Sequence, residues 1–301
     1  MEGERKAKLY MWTVVFIWGV SFLSIKTVVA VVPPMMQGLL RFSISSVGLF
    51  CFMIRDKSLF RLKKADLKWF ALAGSVGITL YFYFENSSML YRDASIASLL
   101  IASIPVFMVI AEAVIDHIPL SRNRIISVLG SIVGVYLIVG HINFKTSQNN
   151  ALGLVLMFGA VLAWVIYAFS TRHLYQKYKP ITINFYQTVI GTVCFLPFAL
   201  FEETKWNFVD VSIVLNILFL GICCSTIAFL LYTEALGKLG ASKSSIFLNA
   251  MPIVTVVTSY FVLGESINFS QADGGIIVIG AVILCEKPPI KTTKEEITAK
   301  K

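Results

Sequence analysis

The chain has 301 residues, 57% hydrophobic and only 14% charged, with a mean hydropathy of +0.78. Soluble domains run at about 45–50% apolar and about 25% charged, so the composition excludes a soluble protein and requires an integral membrane one. The net charge of +9 is then expected in loops on the cytoplasmic face, and nucleic-acid binding is excluded because the basic residues form no patch with interleaved aromatics.

A spanning helix needs about 20 mostly apolar residues. In chain order the sequence predicts ten: 9–28, 35–54, 69–91, 94–115, 125–142, 151–171, 182–201, 211–233, 241–263 and 272–286. Helices are the only spans to expect, since no run alternates like a lipid-facing barrel strand. The first run follows Arg5, Lys6 and Lys8 and is long enough to be retained as a helix instead of cleaved as a signal peptide. The cysteines (Cys51, Cys194, Cys223, Cys224, Cys285) all sit in apolar stretches without metal-ligand spacing, so they read as small hydrophobes and no metal or cofactor is expected.

Basic residues orient the spans. With a cytoplasmic N-terminus, the inner loops collect Arg5–Lys8, Arg55–Lys68, Arg122–Arg124, Arg172–Lys179, Lys238, Lys243 and the tail, whereas the outer loops hold only Lys26, Arg92, Lys145 and Lys205. This bias predicts both termini inside the cell, in the plasma membrane.

The phrase "ASIASLLIASIP" (Ala94–Pro105) returns as "ASKSSIFLNAMP" (Ala241–Pro252), 147 positions later. Trp18 and Trp164, Lys26 and Arg172, and Pro34 and Pro180 are each 146 apart, as are "GVYLI" and "GAVIL". One spacing for so many landmarks predicts a duplication of five helices. Because five is odd, the second copy enters the membrane inverted, which is a physical basis for alternating access. The expected organisation is an all-α membrane protein with a first repeat at 1–145, an inverted second repeat at 146–286 and a basic tail at 287–301. Pro105 and Pro252 are candidate hinges at mid-membrane, where a missing N–H loosens the backbone ladder. Before each runs a small-residue ridge, Ala94, Ser98, Ala102 and Ala241, Ser245, Asn249. Such ridges serve close helix packing, and Asn249 adds an amide that suits a cavity wall.

An ionisable side chain at mid-span costs about 2.5–3.5 kcal/mol on insertion scales, so each needs a reason. Arg41 lies seven residues past Pro34 and Glu85 seven before Arg92, which puts both about 10 Å below the outer surface on successive helices. They are expected to pair or to share a water-filled cavity; Gln187 and Tyr232 hold the equivalent places in the other half. Glu112 and Glu234 are expected at the interface, and Glu265 as a loop or helix-start contact. Trp18, Tyr81, Tyr83, Trp164 and Phe247 are candidates for stacking on substrate.

"WGVSF" (Trp18–Phe22), "LLRF" (Leu39–Phe42), the repeated Ala-Ser…Pro phrase and "LGESINFSQADGGIIVIGAV" (Leu263–Val282), on ten helices in two repeats, resemble the drug/metabolite transporter superfamily, EamA type. The resemblance covers about residues 9–286. It implies a secondary transporter of small metabolites, often an exporter, with a central cavity. Glu265 has no acidic match, Ile118 standing at the aligned place, and Trp164 is followed by Val165 where Trp18 is followed by Gly19, so the symmetry is not perfect.

No enzyme is expected. "GKLGASKSS" (Gly237–Ser245) fails as a phosphate loop because Ser242 precedes Lys243, and the spans offer no nucleophile–base set. The reading is an alternating-access exporter of amino-acid-like or other small neutral or zwitterionic solutes. Its partners are that solute and the lipid bilayer, with a homodimer left open; a channel or assembly subunit, or a membrane-embedded enzyme, is the alternative. The candidate cavity residues are Trp18, Arg41, Tyr81, Glu85, Ser98, Ala102, Trp164, Tyr232, Ser245 and Asn249.

Overall fold

The computed structural model describes residues 2–117, 121–139, 148–172, 174–239, 247–248 and 250–286, and among them there is no β-strand. The helices are α1 (Glu2–Val29), α2 (Pro34–Met53), α3 (Lys64–Ser88), α4 (Ala94–Ile115), α5 (Arg122–Val139), α6 (Gln148–Thr171), α7 (Pro180–Ala199), α8 (Val211–Leu239), α9 (Met251–Leu263) and α10 (Phe269–Glu286). Seven segments within α1–α4 and α6–α8 are long and apolar enough to cross a membrane, and α9 and α10 are shorter apolar helices. Large apolar side chains such as Phe16, Val155, Phe198 and Phe261 stay exposed on the outward faces, as a lipid-facing surface requires. The chain is therefore an integral, multi-pass membrane protein.

Local chemistry explains the helix starts. Pro34 and Pro180 occupy the first turns of α2 and α7, where a missing N–H goes unused. Asp210 opens α8 by accepting a bond from the Ile213 amide at 2.9 Å. Gly264 closes α9 with φ +68°, a left-handed geometry suited to glycine.

Three features depart from ten uninterrupted spans. The fourth predicted span is broken: α4 is helical over Ala94–Ile101 and again from Ile104. Pro105 lacks the N–H that would reach the Ile101 carbonyl, so the chain turns tightly, with Ser103 N bonding Leu100 O and Val106 N bonding Ser103 O. Secondly, α3 and α8 contain π-helical stretches, Ala73–Leu80 and Phe219–Ala228, that the apolar pattern does not announce. Thirdly, the ninth predicted span, 241–263, is described as a helix only over Met251–Leu263; residues 240–246 and 249 lie outside the described residues.

Both π stretches sit at close crossings. A Cβ on Gly74 (α3) would lie 2.7 Å from Ile190 Cβ and 2.8 Å from the Gln187 carbonyl of α7. One on Gly221 (α8) would lie 2.8 Å from Ile44 Cβ and 3.0 Å from the Arg41 carbonyl of α2. Gly221 follows Gly74 by 147 positions, and Ile190 and Gln187 follow Ile44 and Arg41 by 146. The same crossing thus occurs twice with the partners exchanged. Thr79 completes the first by donating to Gly74 O and Gly191 O, at 3.4 and 3.1 Å. Its counterpart Thr226 bonds Gly221 O at 3.0 Å and Ser45 Oγ at 3.1 Å. Ser46 and Thr192, 146 apart, meet through their hydroxyls at 3.2 Å.

The two ends of the bundle are held differently. At the end where α1 begins lie the ion pairs: Arg124–Glu112, Arg172–Asp116, Lys177–Asp66, Lys179–Asp56 and Lys238–Glu234. There Ser58 donates to Asp56 through both its hydroxyl and its amide, holding that carboxyl below the usual carboxylate range. At the opposite end carboxylates cap helices from far along the chain. Glu202 accepts from the Met35 and Met36 amides at 3.2 and 2.8 Å. Glu265 accepts from the Ala94 and Ser95 amides, both at 3.0 Å, and from Ser95 Oγ at 2.8 Å. The contact expected of Glu265 at a helix start is thus made with α4, not with its own helix. A carboxylate there satisfies orphan amides and the positive end of the helix dipole. Replacing Glu265 with Ala strands those part-buried donors and is expected to cost about 1–3 kcal/mol. A drop in thermal midpoint of the purified protein, smaller for Glu265→Gln, is the expected reading.

Candidate functional site

At the centre α1, α2, α3, α6, α8 and α9 enclose a cavity of about 50 Å³ lined by Trp18, Ser21, Phe22, Arg41, Tyr81, Phe82, Glu85, Trp164, Phe229 and Met251. A water occupies about 30 Å³ of liquid, so this conformation has room for water and not for a metabolite.

Each polar group is held from a different element. From α1, Trp18 donates its indole N–H to Cys224 O at 3.1 Å and packs 5.2 Å, centroid to centroid, from both Phe229 and Tyr232. Trp164 of α6 lies 5.0 Å from Tyr81. Tyr81 donates its hydroxyl to Glu85 Oε1 at 2.9 Å, one helical turn along α3. Arg41 reaches across from α2, donates from Nε to Ser225 Oγ at 2.5 Å, and sets its guanidinium carbon 4.4 Å from the centre of the Phe82 ring. That ring face favours the cation.

Arg41 and Glu85 are 2% and 4% exposed, yet they form no ion pair within 4.0 Å. The direct pair is not made, and both side chains line the same cavity. Arg41 Nη1 and Glu85 Oε2 are buried without a hydrogen-bond partner. Both amide atoms of Gln37, one turn before Arg41, and Oδ1 of Asn86, next to Glu85, are also buried and unpartnered. In the equivalent region of the other half Gln187 Nε2 donates to Asn184 Oδ1 at 3.0 Å and Asn184 Nδ2 to Thr233 Oγ1 at 3.4 Å, whereas Gln187 Oε1 is buried and unpartnered. Between the spans, burial lowers the pKa of the Arg92 guanidinium, partly opposed by Asp93 beside it.

The structure therefore brings together Trp18, Arg41, Tyr81, Glu85 and Trp164 of the sequence candidates. Tyr232 stands behind Trp18. Ser98 and Ala102 are buried in α4 but do not line the cavity; Ser98 Oγ donates back to Ser95 O at 2.8 Å. Ser245 and Asn249 lie outside the described residues. Pro105 and Pro252 both stand in the first turn of a helical segment, α4's second half and α9. Glu112 and Glu234 are at the bundle end in their ion pairs. Phe247 packs on Trp12 at 5.3 Å and Tyr83 on Phe84 at 5.6 Å. The lining residues that sequence reasoning missed, Ser21, Phe22, Phe82, Phe229 and Met251, are of types common throughout the spans; only Ser21 and Phe22, inside "WGVSF", carried a signal. Among the described residues no cluster of three or more His, Cys, Asp or Glu could hold a metal.

An aromatic-lined chamber with buried polar groups, inside a bundle of membrane-crossing helices, is the arrangement of a membrane transporter. The chain belongs to the EamA-like transporter family, which matches residues 5–140 and 151–285. A protein of Archaeoglobus fulgidus named as an uncharacterized transporter is 30% identical over 91% of this chain and 96% of its own length. The uncharacterized transporter YoaV of Bacillus subtilis is 24% identical over 93% and 94%. A protein of Streptantibioticus cattleyicolor named "Probable terminal-alkyne amino-acid exporter" is 27% identical over 79% of each chain. A solved crystal structure with 19% identity shares the fold, with a TM-score of 0.66 over 92% of this chain and 95% of that one.

Proposed function

We propose that the protein is a secondary transporter that works by alternating access between two inverted five-helix repeats, residues 1–145 and 146–286, with a basic tail at 287–301. In this reading ten helices span the membrane. The observation that carries it is the exchanged crossing: Gly74 on Ile190 and Gly221 on Ile44 are one contact made twice with the halves' roles swapped. Two halves that can trade shapes have two conformations of similar energy, one open to each face, around a shared central site. The Ser46–Thr192 contact between equivalent positions supports an approximate two-fold axis there. The break before Pro105 and the turn before Pro252 supply places for α4 and α9 to bend.

The ion-paired end faces the cytoplasm in this proposal, which puts both termini inside and the protein in the plasma membrane. The solute is amino-acid-like, or another small neutral or zwitterionic molecule, and it moves outward. The mixed Arg41–Glu85 lining supports that class, as does the relative named as an amino-acid exporter. Whether two copies associate is a separate property that alternating access does not require.

Counterflow in proteoliposomes tests the mechanism. Unlabelled solute trapped inside is expected to accelerate entry of labelled solute; a channel shows no such stimulation. Replacing Glu85 with Gln is expected to lower exchange at least about tenfold, equivalent to about 1.4 kcal/mol in the barrier, at an unchanged level of inserted protein. Wild-type exchange by that variant removes Glu85 from the mechanism.

A further inference from the structure

Between positions 55 and 68 the chain carries Arg55, Lys57, Arg61, Lys63, Lys64 and Lys68, and all six side chains are exposed. The two acids of the same stretch are taken up by the other half of the chain. Asp56 pairs with Lys179 at 3.6 Å, and Asp66, 3% exposed, pairs with Lys177 and accepts from Tyr178 Oη, both at 2.8 Å. None of the six cations makes an ion pair within 4.0 Å among the described residues, whereas Arg124, Arg172, Lys177, Lys179 and Lys238 at the same end each face a carboxylate. Topology alone does not ask for this sorting, because Asp and Glu contribute little to which face a loop takes. The stretch is also held in place. Thr182 Oγ1 donates to Leu59 O at 3.1 Å, Tyr186 Oη to Phe60 O at 2.9 Å, and Lys63 N to Tyr178 Oη at 3.1 Å. Leu59 and Phe60 pack with Leu49, Met53 and Phe185, and Leu62 with Phe70, Leu174 and Ile183. The result is a fixed loop whose apolar side chains and acids are engaged by the bundle and whose cations are not.

We propose that this basic face is a docking surface for the headgroups of anionic phospholipids in the adjacent leaflet. The loop joins two membrane-crossing segments, one ending at Met53 and the next starting at Lys64, so every cation on it lies close to the headgroups. Ile54 and Leu67, 53% and 47% exposed, flank the basic run and suit the acyl boundary, and Lys68 sits 5.3 Å from the centre of the Trp69 ring. A soluble polyanion gains nothing from those apolar neighbours. Four to eight basic residues beside a span draw anionic lipid, each strengthening the attraction by about fivefold. The inference goes beyond the transport reading and stands whichever face of the membrane this end occupies.

The test titrates purified full-length protein in a neutral detergent with phosphatidylglycerol or with phosphatidylcholine of the same acyl chains, and takes apparent affinity from the rise in thermal midpoint. Phosphatidylglycerol is expected to bind at least about 25-fold more tightly, the effect of two cations at about fivefold each. That preference should vanish at 1 M salt, where the Debye length is about 3 Å. Lys57→Gln, Arg61→Gln, Lys63→Gln and Lys64→Gln combined should cut the preference by at least about fivefold, while Lys57→Arg, Arg61→Lys, Lys63→Arg and Lys64→Arg combined should keep it. The midpoint in phosphatidylcholine reports whether each variant is folded. Equal binding of the two lipids by the wild type, or a smaller loss in the folded neutral variant, overturns the inference. So does an equal midpoint rise with inorganic phosphate or a short RNA at the same concentration, since the ligand is then a soluble anion. The wild-type arms decide the matter even if the neutral variant fails to fold.

Discussion

Gly134→Leu is expected to abolish or severely reduce the folded population. The α5–α10 crossing brings backbone to backbone: a Cβ on Gly134 would lie 2.7 Å from Gly274 O and 3.0 Å from Val278 N, and one on Gly274 would lie 2.6 Å from Gly134 O. A side chain pressed against another side chain relaxes by changing rotamer; one pressed against a carbonyl must move a helix. Overpacking typically costs about 1–3 kcal/mol, and this site belongs at or above the top of that range. Small residues matter more here than in a soluble core, since lipid supplies no hydrophobic drive to hold the helices together. The control is Gly280→Ala. Gly280 is the sequence counterpart of Gly134, 146 positions on, but a Cβ there meets nothing within 4 Å. Thermal midpoint and yield of monodisperse protein should fall sharply in the first variant and barely move in the second. Similar behaviour of both would mean that the crossing is not as close as described.

The second large effect is on turnover. Changing Pro105 to Ala supplies the missing N–H and lets α4 run unbroken through residues 102–103, where it is now interrupted. If that interruption is a hinge, annealing it stiffens the moving element without harming the fold. Counterflow is expected to fall about tenfold, while the thermal midpoint stays level or rises. A drop in stability with normal flux would make the proline a packing residue and nothing more. Pro252→Ala is expected to act in the same direction, because Pro252 begins the equivalent segment of α9.

What the sequence revealed follows from cost. Arg41 and Glu85 stand out because an ionisable group in an apolar span needs a reason, and both line the chamber. Trp18 and Trp164 stand out because they recur at the repeat spacing. Phe82 and Phe229 did not, since an aromatic side chain is equally at home against lipid, against another helix or in a cavity, and only the tertiary arrangement selects. Ser98 and Ala102 were chosen for small size, which fits a cavity wall and a tight crossing alike, and they are buried without lining the chamber. The π-helical stretches were invisible because their apolar pattern differs little from that of an α-helix; the glycines at 74 and 221 were the available hint. Glu202 escaped notice because its role depends on the Met35 and Met36 amides, more than 160 positions away.

The unequal fastening of the bundle's two ends has a directional result. Ionic contacts between exposed side chains weaken as added electrolyte shortens the Debye length from about 8 Å at physiological strength to about 3 Å at 1 M. Carboxylates seated on part-buried amides resist that screening. Raising the salt in only one compartment of a sealed vesicle would therefore loosen whichever compartment's side holds the pairs between the ends of different helices, such as Arg172–Asp116 and Lys179–Asp56. Ionic strength becomes a one-sided bias on which door opens.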